Sequence, residues 1–196
     1  MPHPMETTLT AREASFVADI GYDRVAKAFD GGRVANVSRS RRTRRLDIRG
    51  AFSLAAAERL KLYPAPVREH IQGQIDAAID AALSLSDVRD VECRDQVLVT
   101  TFKATKLARL VEERLGKLAR LHDLVVVDNQ RQGGAPTFRG TRIMVRHLAG
   151  LVRSRVARQE IAEDFPEVTD EMLEVAELYD RIYPQRGRPV VTGAGA

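Results

Sequence analysis

Residues 133–145 read GGAPTFRGTRIMV, and what this stretch does decides how the rest of the chain folds. Gly133, Gly134 and Gly140, with Pro136, Arg139 and Arg142, crowd a span too short for a helix before apolar residues resume. A phosphate-cradling P-loop needs Gly-x-x-x-x-Gly followed by Lys and Ser or Thr. Here Gly133 to Gly140 has the wrong interval and leads into Thr141-Arg142. The dinucleotide fingerprint Gly-x-Gly-x-x-Gly fails as well. The stretch reads instead as a hairpin. A strand over LVVVD (Leu124 to Asp128) precedes a turn at Gly133-Gly134, an edge segment runs from Pro136 to Phe138, and Arg139-Gly140 turns again into a short TRIMV strand. Three helices follow. The first spans Arg146 to Arg153, and the second, Gln159 to Phe165, is stopped by Pro166. The third, Thr169 to Tyr183, is capped by Thr169, with Asp170 and Glu171 well placed in its first turn.

These residues carry a resemblance. Gly134, Pro136, Arg139, Gly140, Thr141, Arg142 and Ile143, followed by Glu160, Ile161, Asp164, Phe165 and Pro166 and by a last helix with Ala176 and Tyr179, resemble the bacterial family known as domain of unknown function 433. The resemblance spans about Val125 to Pro184. It implies a helix-turn-helix-like module similar to VapB-type antitoxins, which are often encoded beside PIN-like ribonuclease toxins. Between its first two helices that family usually has a glycine, whereas this chain has Ser154-Arg155-Val156. If the turn needs a positive φ, Arg155 is strained there.

Moving toward the N-terminus, Thr10-Ala11-Arg12-Glu13 forms a capping box for a helix reaching about Asp19. Gly21 permits a sharp turn into a second helix, Tyr22 to Phe29, which Gly31-Gly32 ends. Two short strands, Arg33 to Val37 and Arg45 to Ile48, are expected around an arginine-rich tip. A basic hairpin after two helices and a glycine turn has the outline of a winged helix-turn-helix, loosely similar to MerR-like regulators. On this reading Arg12, Tyr22, Arg24 and Lys27 face DNA, with Arg24 the candidate for guanine edges and Arg39, Arg41, Arg42, Arg44 and Arg45 as phosphate anchors. The alternative is a helix pair beside a solvated basic loop.

The middle reads as structural. Ser53 caps a helix, a longer one runs from about Pro66 to Leu83, and a strand pair follows near Val88–Glu92 and Gln96–Thr101. From Lys103 to Leu121, Leu107, Leu110, Val111, Leu115, Leu118 and Leu121 recur at three- and four-residue steps. That stripe is either core or the seam of a dimer, in which case Leu107, Leu110, Val111 and Leu118 meet a second copy. The expected divisions are residues 1–62, 63–122, 123–184 and a tail of 185–196. The fold class expected is mainly α with short β-hairpins.

The charge is divided along the chain. Arg33, Arg39, Arg41, Arg42, Arg44, Arg45 and Arg49 face a single Asp47 between residues 33 and 49. Between 156 and 184 the sign reverses, with Glu160, Glu163, Asp164, Glu167, Asp170, Glu171, Glu174, Glu177 and Asp180 against Arg158 and Arg181. Guanidinium groups suit phosphate oxygens, while acidic helices repel DNA and suit a basic protein. Glu163, Met172, Glu174, Glu177 and Tyr179 are therefore candidate partner contacts. Arg139 and Arg142 either join them or brace the hairpin through carbonyls or the carboxylates of Glu163 and Asp164.

Other classes find less support. No apolar run is long enough to span a bilayer, the start lacks a signal-peptide layout, and one cysteine, Cys93, suits a reducing compartment, so a cytoplasmic protein is expected. The four histidines are scattered, no nucleophile–base pair is evident, and neither metal nor cofactor is expected. The expectation is a non-enzymatic antitoxin that binds its own operator as a homodimer and neutralises a PIN-like ribonuclease. The alternative is a winged-helix regulator without a toxin partner.

Overall fold

The computed structural model describes residues 5, 7–35, 37, 44–94, 99–129 and 132–185. The chain is mainly α-helical with short antiparallel strand pairs, and it divides into two compact units, Met1–Leu118 and Ala119–Ala196.

The first unit opens with β1 (Thr8–Thr10), α1 (Ala11–Ala18) and α2 (Tyr22–Asp30). The capping box forms as its spacing predicts. The Glu13 amide donates to Thr10 Oγ1 at 3.3 Å, and the Thr10 amide to Glu13 Oε2 at 2.6 Å. Ala14, Val17 and Ala18 of α1 and Val25 and Ala28 of α2 are buried. Helix α1 ends because Asp19 turns left-handed, at φ 61°, and Gly21 then begins α2.

The expected wing pairs differently. Arg45–Asp47 forms β2, but its partner is β1, in the register Thr8↔Asp47, Leu9↔Leu46 and Thr10↔Arg45. Residues 33–35 are not a strand. The alternation Thr8-Leu9-Thr10 explains the choice, because it sets Leu9 beside Leu46 and both are buried. One bond of the expected hairpin exists, from the Val37 amide to the Arg45 carbonyl at 3.0 Å. Its tip, with Arg39, Arg41 and Arg42, lies outside the described residues.

Helix α3 (Ile48–Arg59) starts earlier than a cap at Ser53 allows. Asp47 caps it instead, accepting from the Gly50 amide at 2.8 Å. Ser53 lies inside the helix and donates to Asp76 Oδ1 at 2.7 Å on α4 (Ala65–Ala81). Phe52 of α3, Leu60 just past its end, and Ile71, Ile75 and Ile79 of α4 are buried. The strands β3 (Val91–Arg94) and β4 (Val99–Phe102) follow, paired antiparallel from Val91↔Phe102 to Arg94↔Val99.

Helix α5 (Ala104–Leu124) comes next. Its start is held by Asp90, whose Oδ1 accepts from the Thr105 amide at 3.0 Å and hydroxyl at 2.7 Å, while Lys103 lies 3.0 Å from Oδ2. These bonds draw the Asp90 carboxyl down from 3.8 to about 2. The apolar stripe resolves toward core. Leu107, Val111 and Leu118 are buried within the single chain, and Leu110 is 38% exposed. The stripe is therefore not a free seam; of the four residues expected there, Leu110 alone reaches the surface.

In the second unit, β5 (Val125–Val126) pairs with β6 (Thr137–Phe138), and Met144 adds a single bridge to Thr137 in place of the expected TRIMV strand. Gly133, Gly134 and Gly140 take φ of 63°, 81° and 78°, which is why glycine stands at each turn. Helices α6 (Val145–Arg153), α7 (Arg158–Asp164) and α8 (Asp170–Ile182) follow, the last capped by Thr169 through the Met172 amide at 3.2 Å. Phe138, Val145, Leu148, Ile161, Leu173 and Ala176 are buried in this unit.

Candidate functional site

Helix α2 presents Tyr22, Asp23, Arg24, Lys27 and Asp30 to solvent, the outward side of an amphipathic helix whose Val25 and Ala28 are buried. The Arg12 guanidinium lies 5.2 Å from the Tyr22 ring centroid, which ties α1 to the start of α2 and leaves Tyr22 46% exposed. Arg24 donates from Nη1 to both carboxylate oxygens of Glu58 on α3, and Lys61 lies 2.6 Å from Glu58 Oε2. Sequence reasoning missed Glu58 because it is 34 residues from Arg24 and no local spacing links them.

Two expected phosphate anchors are partly occupied within the chain. Arg44 pairs with Asp30 at 2.7 Å and lies 5.8 Å from the Phe29 ring centroid. Arg45 donates to Thr8 Oγ1 at 3.4 Å across the β1–β2 pair. Arg44 thereby neutralises one of the two α2 carboxylates that oppose an anion. Arg114, also missed, donates to the Phe16 carbonyl at 2.8 Å and pairs with Asp19 at 3.0 Å. Its hydrogen bond holds the Asp19 carboxyl below its ordinary range.

In the second unit the motif arginines separate in role. Arg139 donates from Nε to the Asp123 carbonyl at 2.7 Å, and its amide to the Leu124 carbonyl at 2.7 Å, so it braces the hairpin. The brace uses carbonyls rather than Glu163 or Asp164. Arg142 is exposed. Met172 is 7% exposed and belongs to the core, so its placement on a partner face is corrected: the inner side of α8 claims it. Tyr179 is half-buried beneath Arg146, 5.3 Å from its ring centroid, and burial raises the phenol. Arg146 also reaches the Tyr183 carbonyl at 3.0 Å and Asp180 at 3.4 Å, while Arg153 meets Asp180 at 2.7 Å. This cluster joins α6 to the end of α8.

The outer side remains acidic. Glu163, Glu174 and Glu177 are exposed, Glu163 accepts from Gln159 at 3.3 Å, and Glu171 pairs with Arg120 at 3.1 Å. A cleft of about 360 Å³ lies among Ile161, Ala162, Val168 and Leu173, together with the Arg158–Asp170 ion pair. Among the described residues no group of three or more His, Cys, Asp or Glu is placed to hold a metal, and no helix is long and apolar enough to cross a membrane.

Comparison with known proteins places part of this chain. The uncharacterized protein y4eO of Sinorhizobium fredii (strain NBRC 101917 / NGR234) is 33% identical over 85 residues, covering 43% of this chain and 38% of that protein. The match thus spans well under half of the relative's length. The X-ray crystal structure of Rv2018 from Mycobacterium tuberculosis aligns over 89% of this chain and 97% of that one, at 19% identity and a TM-score of 0.33. Residues 125–179, from β5 into α8, match the family model described as protein of unknown function (DUF433).

Proposed function

We propose that the chain is an antitoxin whose first unit binds its own operator DNA and whose second unit neutralises a PIN-like ribonuclease. The observation that carries the DNA half is the capped α1, the left-handed Asp19 and the exposed Tyr22, Arg24 and Lys27 on α2, followed by the arginine-rich residues 33–49. Helix α2 is the element for the major groove, and the arginines of the following segment lie along phosphates. The acidic outer side of α7 and α8 supports the partner half. A nuclease must display positive charge to hold RNA, and complementary potentials speed encounter and fix register. The α7–α8 cleft offers apolar surface beside that charge.

The test is a gel-shift titration against the chain's own promoter, together with co-purification with the product of the neighbouring gene. The proposal expects promoter binding that weakens steeply with salt, each phosphate contact adding roughly 0.9 to the log–log slope, and a stable complex with the neighbour. Salt-independent binding, or no promoter binding, removes the DNA half; absence of a complex removes the partner half.

A further inference from the structure

Arg24 is the α2 side chain best suited to a base edge, and in the free protein it is paired with Glu58. Both of its bonds to Glu58 leave from Nη1. Among the described residues no hydrogen bond uses Nη2 or Nε of Arg24. The guanidinium is planar, with its five N–H groups in a fixed fork. A carboxylate on Nη1 restrains the group at one end and leaves the Nη2–Nε edge, which has two parallel donors. Guanine presents O6 and N7 as two acceptors at matching spacing in the major groove.

The carboxylate is itself held in place. Glu58 lies near the end of α3, where buried Ala55 and Ala56, with Leu60 just past the helix end, anchor that turn in the core. Lys61, one helical step further on, lies 2.6 Å from Glu58 Oε2, so the carboxylate is drawn from two sides. An exposed arginine loses several free rotors when it binds, and a side chain fixed beforehand loses fewer.

We infer that Glu58 is a positioning residue for sequence discrimination, presenting the Nη2–Nε edge of Arg24 to a guanine on the operator. The inference rests on the DNA half of the proposed function. It opposes the plain electrostatic expectation, in which a carboxylate beside a DNA-facing arginine only repels phosphate and weakens binding.

The test measures fluorescence anisotropy of the full chain with a labelled fragment of its own promoter and with a scrambled duplex of equal length, across a salt series. Wild-type protein prefers the promoter. Arg24→Ala loses about tenfold or more of that preference, the range expected for one bidentate guanine contact. Glu58→Gln, which removes a negative charge without changing shape, binds the scrambled duplex more tightly yet loses several-fold of the preference. The double variant resembles Arg24→Ala alone, because both substitutions remove the same contact. Lys61→Ala weakens both duplexes together. If Glu58→Gln tightens both duplexes equally, or changes neither, the positioning role is wrong while operator binding stands. If the wild-type protein has no preference for its promoter, the DNA reading falls and takes the inference with it.

Discussion

The two units solve one turn problem with different residues. In the first, α1 reverses into α2 through Asp19 at φ 61°; in the second, α6 reverses into α7 through Arg155 at φ 57°. Among the described residues these are the two non-glycine positions of positive φ. Aspartate visits that region at small cost, and here its carboxylate also meets Arg114 at 3.0 Å and Arg59 at 3.9 Å. Arginine has no such local compensation. Its amide closes the turn to the Val152 carbonyl at 2.9 Å, and the side chain is exposed. A left-handed residue that also holds a neighbouring helix is part of the unit's core logic, whereas one that only turns the chain is open to replacement.

The largest effects separate the units by their cores. Phe52→Ala in α3 and Leu148→Ala in α6 each remove a fully buried side chain, at about 3–5 and 2–5 kcal/mol. Amide hydrogen exchange should record the first loss in α1, α3 and α4 and the second in α6 and α8. If either substitution exposes both sets equally, the units are one cooperative block.

Caps come next in size. Thr10→Ala and Thr169→Ala each remove a side-chain acceptor at a helix start and should cost about 1 kcal/mol in urea unfolding. Thr10→Ala is expected to keep the other half of the capping box, because the bond to Glu13 Oε2 comes from the backbone amide of residue 10.

The turn residues should then differ in sign. Arg155→Gly relieves the left-handed strain but adds freedom to the unfolded chain, for a net gain of roughly 0.5–1 kcal/mol. Asp19→Gly adds the same freedom and loses the Arg114 pair, so it should destabilise by about 1 kcal/mol. Equal signs in the two thermal shifts would break the comparison.

The smallest effect is acidic. The folded Asp90 carboxyl lies at about 2, below its ordinary 3.8, so its contribution is present above the higher value and fades as pH falls through the lower. Urea midpoints of wild type and Asp90→Asn should therefore differ at neutral pH and converge near pH 2. A constant gap would mean that Thr105 and Lys103 do not hold the charged form.

What the sequence disclosed depended on how local the cause was. Thr10 with Glu13, Thr169 with the following acids, and the glycines at 133, 134 and 140 act within a few residues: both helices start at their caps and each glycine takes its turn, while the TRIMV strand beyond Gly140 reduces to one bridge. The wing misled because Arg33–Val37 and Arg45–Ile48 are near in sequence, while β2 found its partner 37 residues away in β1. The Leu107–Leu118 stripe fits a core as well as a seam, and only burial within one chain decides. At the candidate site, the exposure of Tyr22, Arg24 and Lys27 follows from helical spacing. Glu58, Arg114 and Arg146 came from long-range packing that no periodicity encodes.

The most direct test of the proposed division of labour is growth of a host expressing the product of the gene beside this chain, with and without the full chain. The account predicts that this product acts as a ribonuclease and arrests growth alone, and that growth returns when the chain is present. It further predicts slower protection by a Glu174→Lys, Glu177→Lys variant that still binds promoter DNA, with the deficit shrinking at high salt in purified components. Identical growth with and without the chain would contradict the antitoxin reading.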